Sequence, residues 1–179
     1  MPLVGVESIG STPRGYYRAM YLDALEFLEE ERDVWTPYEA LAGLTDAQLT
    51  EPVAGAHDWT GRDLMAHMLA WQAVALDAAT ELAVNETSPT ITRVEADWDE
   101  RGGDVVNDEI TRVWADMPIA DLRERFRTQP GELRGYLTVV PEARWLKHPV
   151  HLKSFHDETI AHYEDHAADL RAILESASA

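Results

Sequence analysis

Apolar residues recur at three- and four-residue spacing along nearly the whole 179-residue chain, and no segment alternates with period two over the length a strand needs. That periodicity restricts the fold to helix packed on helix. The expected class is all-α, as one domain over residues 1–179, and 45% hydrophobic residues suffice for one ordinary core. Ser11-Thr12-Pro13 announces a first helix running to about Trp35, with Tyr17, Met20, Tyr21, Ala24, Phe27 and Leu28 on one side. Thr36-Pro37-Tyr38-Glu39 repeats the start signal as a Thr-x-x-Glu capping box and predicts a kink or a restart, with one more turn from Thr45 to Leu49. The second helix has the clearest start: Thr60 as cap, Asp63 at the third helical position, and Trp59 placed to staple onto Leu64. Its apolar stripe is Leu64, Met68, Trp71, Ala75, Ala78 and Leu82.

Asn85 to Gly103 shows no sustained helical period and reads as a connection of ~20 residues, long enough when extended to cross the length of a bundle and join two parallel helices. A third helix is expected over Asp104 to Asp116. A fourth starts at Pro118 with Leu122, Phe126, Leu133 and Leu137 facing inward, and Pro130-Gly131 either kinks or splits it. After a loop from Pro141 to Pro149, Ser154 with Asp157 opens the last helix, whose apolar face is Phe155, Ile160, Tyr163, Ala167, Leu170, Ile173 and Leu174.

Thirty-three acidic against fifteen basic side chains give a formal charge of −18, and Lys and Arg form no stripe. Such a surface repels a polyanion, which argues against a nucleic-acid partner. No run reaches the ~18 apolar residues of a membrane span, and Met1-Pro2-Leu3-Val4 lacks the pattern of a signal peptide, so the expectation is a soluble cytoplasmic protein. With no cysteine, a metal can be held only by His, Asp or Glu.

Five of the seven histidines fall between His148 and His166. His162 and His166 are four apart on a helix, a spacing from which two imidazoles can grip one ion. His67 lies on or beside the stripe of the second helix and is the candidate third ligand, although a lone His there is more often a hydrogen-bonded core residue. Tyr163-Glu164-Asp165 between the paired histidines puts Glu one position away from its place in His-Glu-x-x-His, so that metalloprotease motif is absent. His57, His148, His151 and His156 sit in loops or at a helix start and read as solvated surface residues.

Trp59-Thr60-Gly61-Arg62-Asp63-Leu64-Met65-Ala66-His67-Met68, with the terminal Ile160-Ala161-His162-Tyr163-Glu164-Asp165-His166, resembles the DinB/YfiT-like superfamily. Asp104 to Ile110, followed by Leu122 and Leu133, is similar to its third and fourth helices. The resemblance implies a four-helix bundle of up-down-down-up topology, with a divalent metal, zinc, nickel or iron(II), on His67, His162 and His166. It further implies a metal-dependent hydrolase, or an S-transferase using a low-molecular-weight thiol such as mycothiol or bacillithiol, acting on a small molecule. The central region also resembles the DfsB, colibactin-resistance, branch, which implies instead a non-catalytic protein that sequesters a toxin or antibiotic. Asp63 and Glu158, each four residues before a histidine, are candidates to orient an imidazole or act as general base, and Trp71 and Tyr163 are candidates to line the pocket. A homodimer is expected, with Trp35, Trp98, Trp114 and Trp145 available for its face.

Overall fold

Gly61–Val84 (α3) is the helix around which the others are arranged, and in the computed structural model, which describes residues 21–178, it is buried nearly all round from Leu64 to Gln72. Its start is as the sequence predicts. Thr60 Oγ1 accepts from the Asp63 backbone N–H at 3.0 Å, while the Asp63 carboxylate accepts from the Thr60 N–H at 2.9 Å. Around α3 lie Ala24–Trp35 (α1), Asp46–Thr50 (α2), Pro89–Arg101 (α4), Gly103–Ala115 (α5), Ile119–Val139 (α6), Pro149–Glu158 (α7), Ile160–Asp165 (α8) and Ala167–Ala177 (α9). The described residues are all-helical apart from turns and one isolated bridge, Val53 to Trp59. None of these helices is long and apolar enough to cross a membrane.

The sharpest departure from expectation is α4, which occupies the supposed structureless connection. Ser88 Oγ accepts from the Ile91 N–H at 3.1 Å, Pro89 takes the first helical position, and Gly102 at φ +84° ends the helix. Only Ile91, Val94 and Trp98 supply its apolar side, a face too narrow to register against so many charges, and burial of the first two is what holds it. An extended chain spanning a bundle is therefore not what this segment provides. Pro130 splits nothing: α6 continues through it with Leu122, Phe126, Leu133 and Leu137 all buried.

The last helix is three. α7 begins at Pro149, not Ser154, because the His148 ring accepts from the His151 N–H and caps it. The chain then departs from helical dihedrals at Thr159 and turns again at His166. At the other end, Asp23 caps α1 at Ala24, so Tyr21 precedes the helix, while Ser11-Thr12-Pro13, Tyr17 and Met20 lie outside the described residues. The expected capping box at Thr36 does not form. Its hydroxyl donates back to Arg32 O, and the chain restarts as a 3-10 segment, Thr36–Gly43. Trp35 and Trp145 are 1% and 0% exposed, so neither is available to a dimer face; both are core because α1 and the Glu142–Arg144 turn fold inward over them. Trp98 stays 44% exposed.

Candidate metal centre

His67 emerges from α3 two turns after its cap, and α8 brings His162 across from it while the turn into α9 adds His166. One ligating atom from each lies within 4.8 Å of the others. Two nitrogens each ~2.1 Å from one ion stand at most about 4.2 Å apart, so the cluster is within about an ångström of coordinating separation. The ring centroids are mutually 4.8–4.9 Å apart, an equilateral arrangement that two residues at i, i+4 and one from a facing helix produce.

Two of the three rings are oriented by a hydrogen-bonding neighbour. His166 Nδ1 lies 2.9 Å from Asp169 Oδ2, and because a carboxylate only accepts, Nδ1 carries a proton and Nε2 is the nitrogen left for an ion. His67 Nδ1 pairs with Thr111 Oγ1 of α5 at 3.2 Å. His162 Nε2 is buried with no hydrogen-bond partner. A buried imidazole nitrogen left alone is costly, and this one together with a ring nitrogen from each of the other two histidines makes a donor set that suits a divalent ion. Burial above all, with the charge of His166 second, drives His67 down to about 3; burial likewise holds His162 well below the usual range, followed by repulsion from His67 and His166. Both are neutral at pH 7, so protons do not compete for these nitrogens.

Aromatic rings wall the cluster. Trp59 stacks on His166 at 5.5 Å and meets His67 edge-on at 5.1 Å; Trp71 stands 5.8 Å from His162 and donates its indole N–H to Asn107 at 2.9 Å. The sequence assigned Trp59 only a staple. Thr111 and Asn107 leave no local signal, since only the packing of α5 on α3 brings them there. Asp169 could have been found, three residues after His166. Tyr163 belongs elsewhere: its hydroxyl donates to Glu31 at 3.2 Å and accepts from Gln72 at 2.8 Å. It does line a groove of about 740 Å³ between Tyr38 and Leu174, which none of the three histidines touches.

The Asp63 carboxylate is committed to the cap of α3. Glu158 ends α7 rather than opening a helix, takes a hydrogen bond from Ser154 at 2.8 Å, and feels Asp157 and Glu95 as its nearest acidic charges. Of the four histidines expected at the surface only His57 is fully exposed. His151 is 6% exposed, with Nδ1 on Arg144 O, because the capped start of α7 folds over it; His148 and His156 are half-buried.

A family model described as the mycothiol maleylpyruvate isomerase N-terminal domain matches residues 28–171, a span containing all three ligand candidates, Thr111 and Asp169. The chain belongs to this family. That family is a metal-binding one within the DinB/YfiT-like superfamily, in agreement with the resemblance in the first and last histidine segments. No curated protein and no solved structure matches the chain.

Proposed function

We propose that the chain is a metal-dependent enzyme that uses a low-molecular-weight thiol on a small molecule, with His67, His162 and His166 as the ligands of a divalent ion. The observation that carries the reading is the partnerless, buried Nε2 of His162 beside the converging rings of His67 and His166. A divalent ion held by His67, His162 and His166 would supply Lewis acidity that lowers the pKa of a thiol or water. The family's description, which names mycothiol, favours the thiol over water and hence transfer or isomerisation over hydrolysis. In this reading Asp169 holds His166 in the ligating tautomer and Thr111 orients the His67 ring, while Trp59 and Trp71 exclude bulk water and present flat apolar walls to the substrate. An up-down-down-up path of the long helices around α3 belongs to the same proposal.

The test is elemental mass spectrometry on tag-free protein beside His162→Ala/His166→Ala, followed by thiol-consumption assays with mycothiol and bacillithiol. Near-stoichiometric metal in the parent, none in the variant, and thiol turnover only in the parent are expected. A parent that refuses zinc, nickel and iron(II) would sink the enzyme and leave capture of a toxin or antibiotic as the better reading. Metal-dependent ester hydrolysis without thiol dependence would replace the transferase with a hydrolase.

A further inference from the structure

The hairpin of α4 and α5 turns on two consecutive glycines, each required for a different reason. Gly102 stands at φ +84°, a conformation glycine adopts at little cost, while a Cβ on Gly103 would lie 2.5 Å from Cζ2 and 2.8 Å from Cη2 of Trp98. The first glycine makes the corner and the second leaves room for an indole. Neither end of α4 is loose. Ser88 and Thr90 donate their hydroxyl protons to the Glu81 carboxylate of α3, and across the corner Arg101 pairs with Glu109 of α5.

So seated, Trp98 meets Trp71 of α3 with ring centroids 5.9 Å apart and planes at 69°, the edge arrangement that aromatic pairs favour. Trp71 is fixed by α5 as well, through the Asn107 oxygen that accepts its N–H at 2.9 Å, and it stands 5.8 Å from the His162 ring. Exposure rises outward along this line, from 6% at Trp71 to 44% at Trp98. Two indoles thus lead from solvent to a candidate ligand, the inner one held fast and the outer one with much of its surface bare. Glu95, Asp97, Asp99 and Glu100 all lie within a turn of Trp98, and Arg101, the one cation equally near in sequence, is neutralised by Glu109. The bare surface is therefore aromatic and set in a negative field.

We propose that Trp98 is the specificity-determining residue of the centre, its exposed indole surface receiving an uncharged aromatic group of the small-molecule substrate. A flat ring matches the quadrupole of the indole by stacking or by its edge, which an aliphatic ring of similar size does not, and the surrounding carboxylates disfavour an anionic ring. Gly103 is the seat of this device, because any side chain there displaces the indole. The proposal deepens the reading under Proposed function and rests on it for the chemistry at the three histidines, but its first test needs no metal.

Proton–nitrogen spectra separate the indole N–H signals of the six tryptophans, and single Trp→Phe variants assign them. In metal-free protein, benzyl alcohol is expected to move the Trp98 and Trp71 signals at concentrations roughly 2–10-fold below those at which cyclohexanemethanol does. Benzoate is expected to act more weakly than benzyl alcohol. Read at Trp71, the preference for the aromatic alcohol is expected to persist in Trp98→Phe and to vanish in Trp98→Leu and Gly103→Ala. Trp98→Leu keeps an apolar side chain at a half-exposed site, so it decides the matter even where Gly103→Ala fails to fold. Equal responses to the two alcohols in the parent, or a preference that survives in Trp98→Leu, would overturn the proposal. With cobalt(II) bound, benzyl mercaptan is expected to outcompete cyclohexanemethanethiol in the thiolate absorption band, and equal affinities there would detach Trp98 from the metal centre and overturn its role in specificity. A parent that takes up no cobalt(II) sinks the metal reading alone, since the alcohol titrations still decide what Trp98 receives.

Discussion

Burial works in opposite directions on two kinds of side chain here. It keeps His67 and His162 neutral and ready to ligate, and it pushes the Glu158 carboxyl, 6% exposed with Oε2 unpartnered, up to about 8. Desolvation is the main cause, opposed by the Ser154 hydrogen bond and reinforced by Asp157 and Glu95. A carboxyl whose folded pKa is raised keeps its proton in the folded state after the unfolded chain has lost it. Its stabilising contribution is therefore complete below about 4.5 and is lost as pH rises through about 8. Urea midpoints of the parent are expected to fall between pH 5 and 8, and those of Glu158→Gln to fall less; parallel profiles for the two proteins would contradict this assignment. The sequence placed Glu158 in the first turn of a helix, where the dipole welcomes a carboxylate. The structure puts it at the last residue of α7, because Pro149 rather than Ser154 starts that helix.

At the level of elements, helix starts were legible where a side chain caps its own backbone. Thr60 with Asp63 is such a case, and Thr60→Ala is expected to cost about 1 kcal/mol in chemical denaturation, within the 0.5–2 kcal/mol range of cap removals. A smaller loss in Thr60→Ser, which keeps the hydroxyl, separates the cap from packing. Ser88-Pro89 carries the same kind of signal, but proline in a charged stretch reads as a breaker until the neighbouring surface of α3 is known to accept Ile91 and Val94. Breaks inside the last helical segment were illegible for a related reason. The apolar face from Phe155 to Leu174 is continuous in sequence, and the turns at Thr159 and His166 accompany a switch of partner, α7 and α9 packing on α3 and α8 on α1.

Across the whole molecule, a buried polar network ties α1, α3, α6 and α8 together. Arg134 donates to Glu31, which is 1% exposed; Tyr163 donates to the other Glu31 oxygen, and Gln72 donates to Tyr163. Removing the guanidinium strands a buried carboxylate, so Arg134→Met is expected to destabilise by roughly 3–5 kcal/mol, with Glu31→Gln/Arg134→Met recovering part of that loss. Equal losses in the single and double variants, measured by denaturant unfolding, would show that the pair contributes only through packing. By itself, the sequence determined the all-helical class, the start of α3 and the three histidines, because period, caps and i, i+4 spacing are local properties of the chain. Tertiary structure alone decided α4, the neutrality of the buried rings, and the convergence of Thr111 and Trp59 on them. Those depend on which surfaces α3 and α9 offer to segments tens of residues away, and no local pattern encodes that.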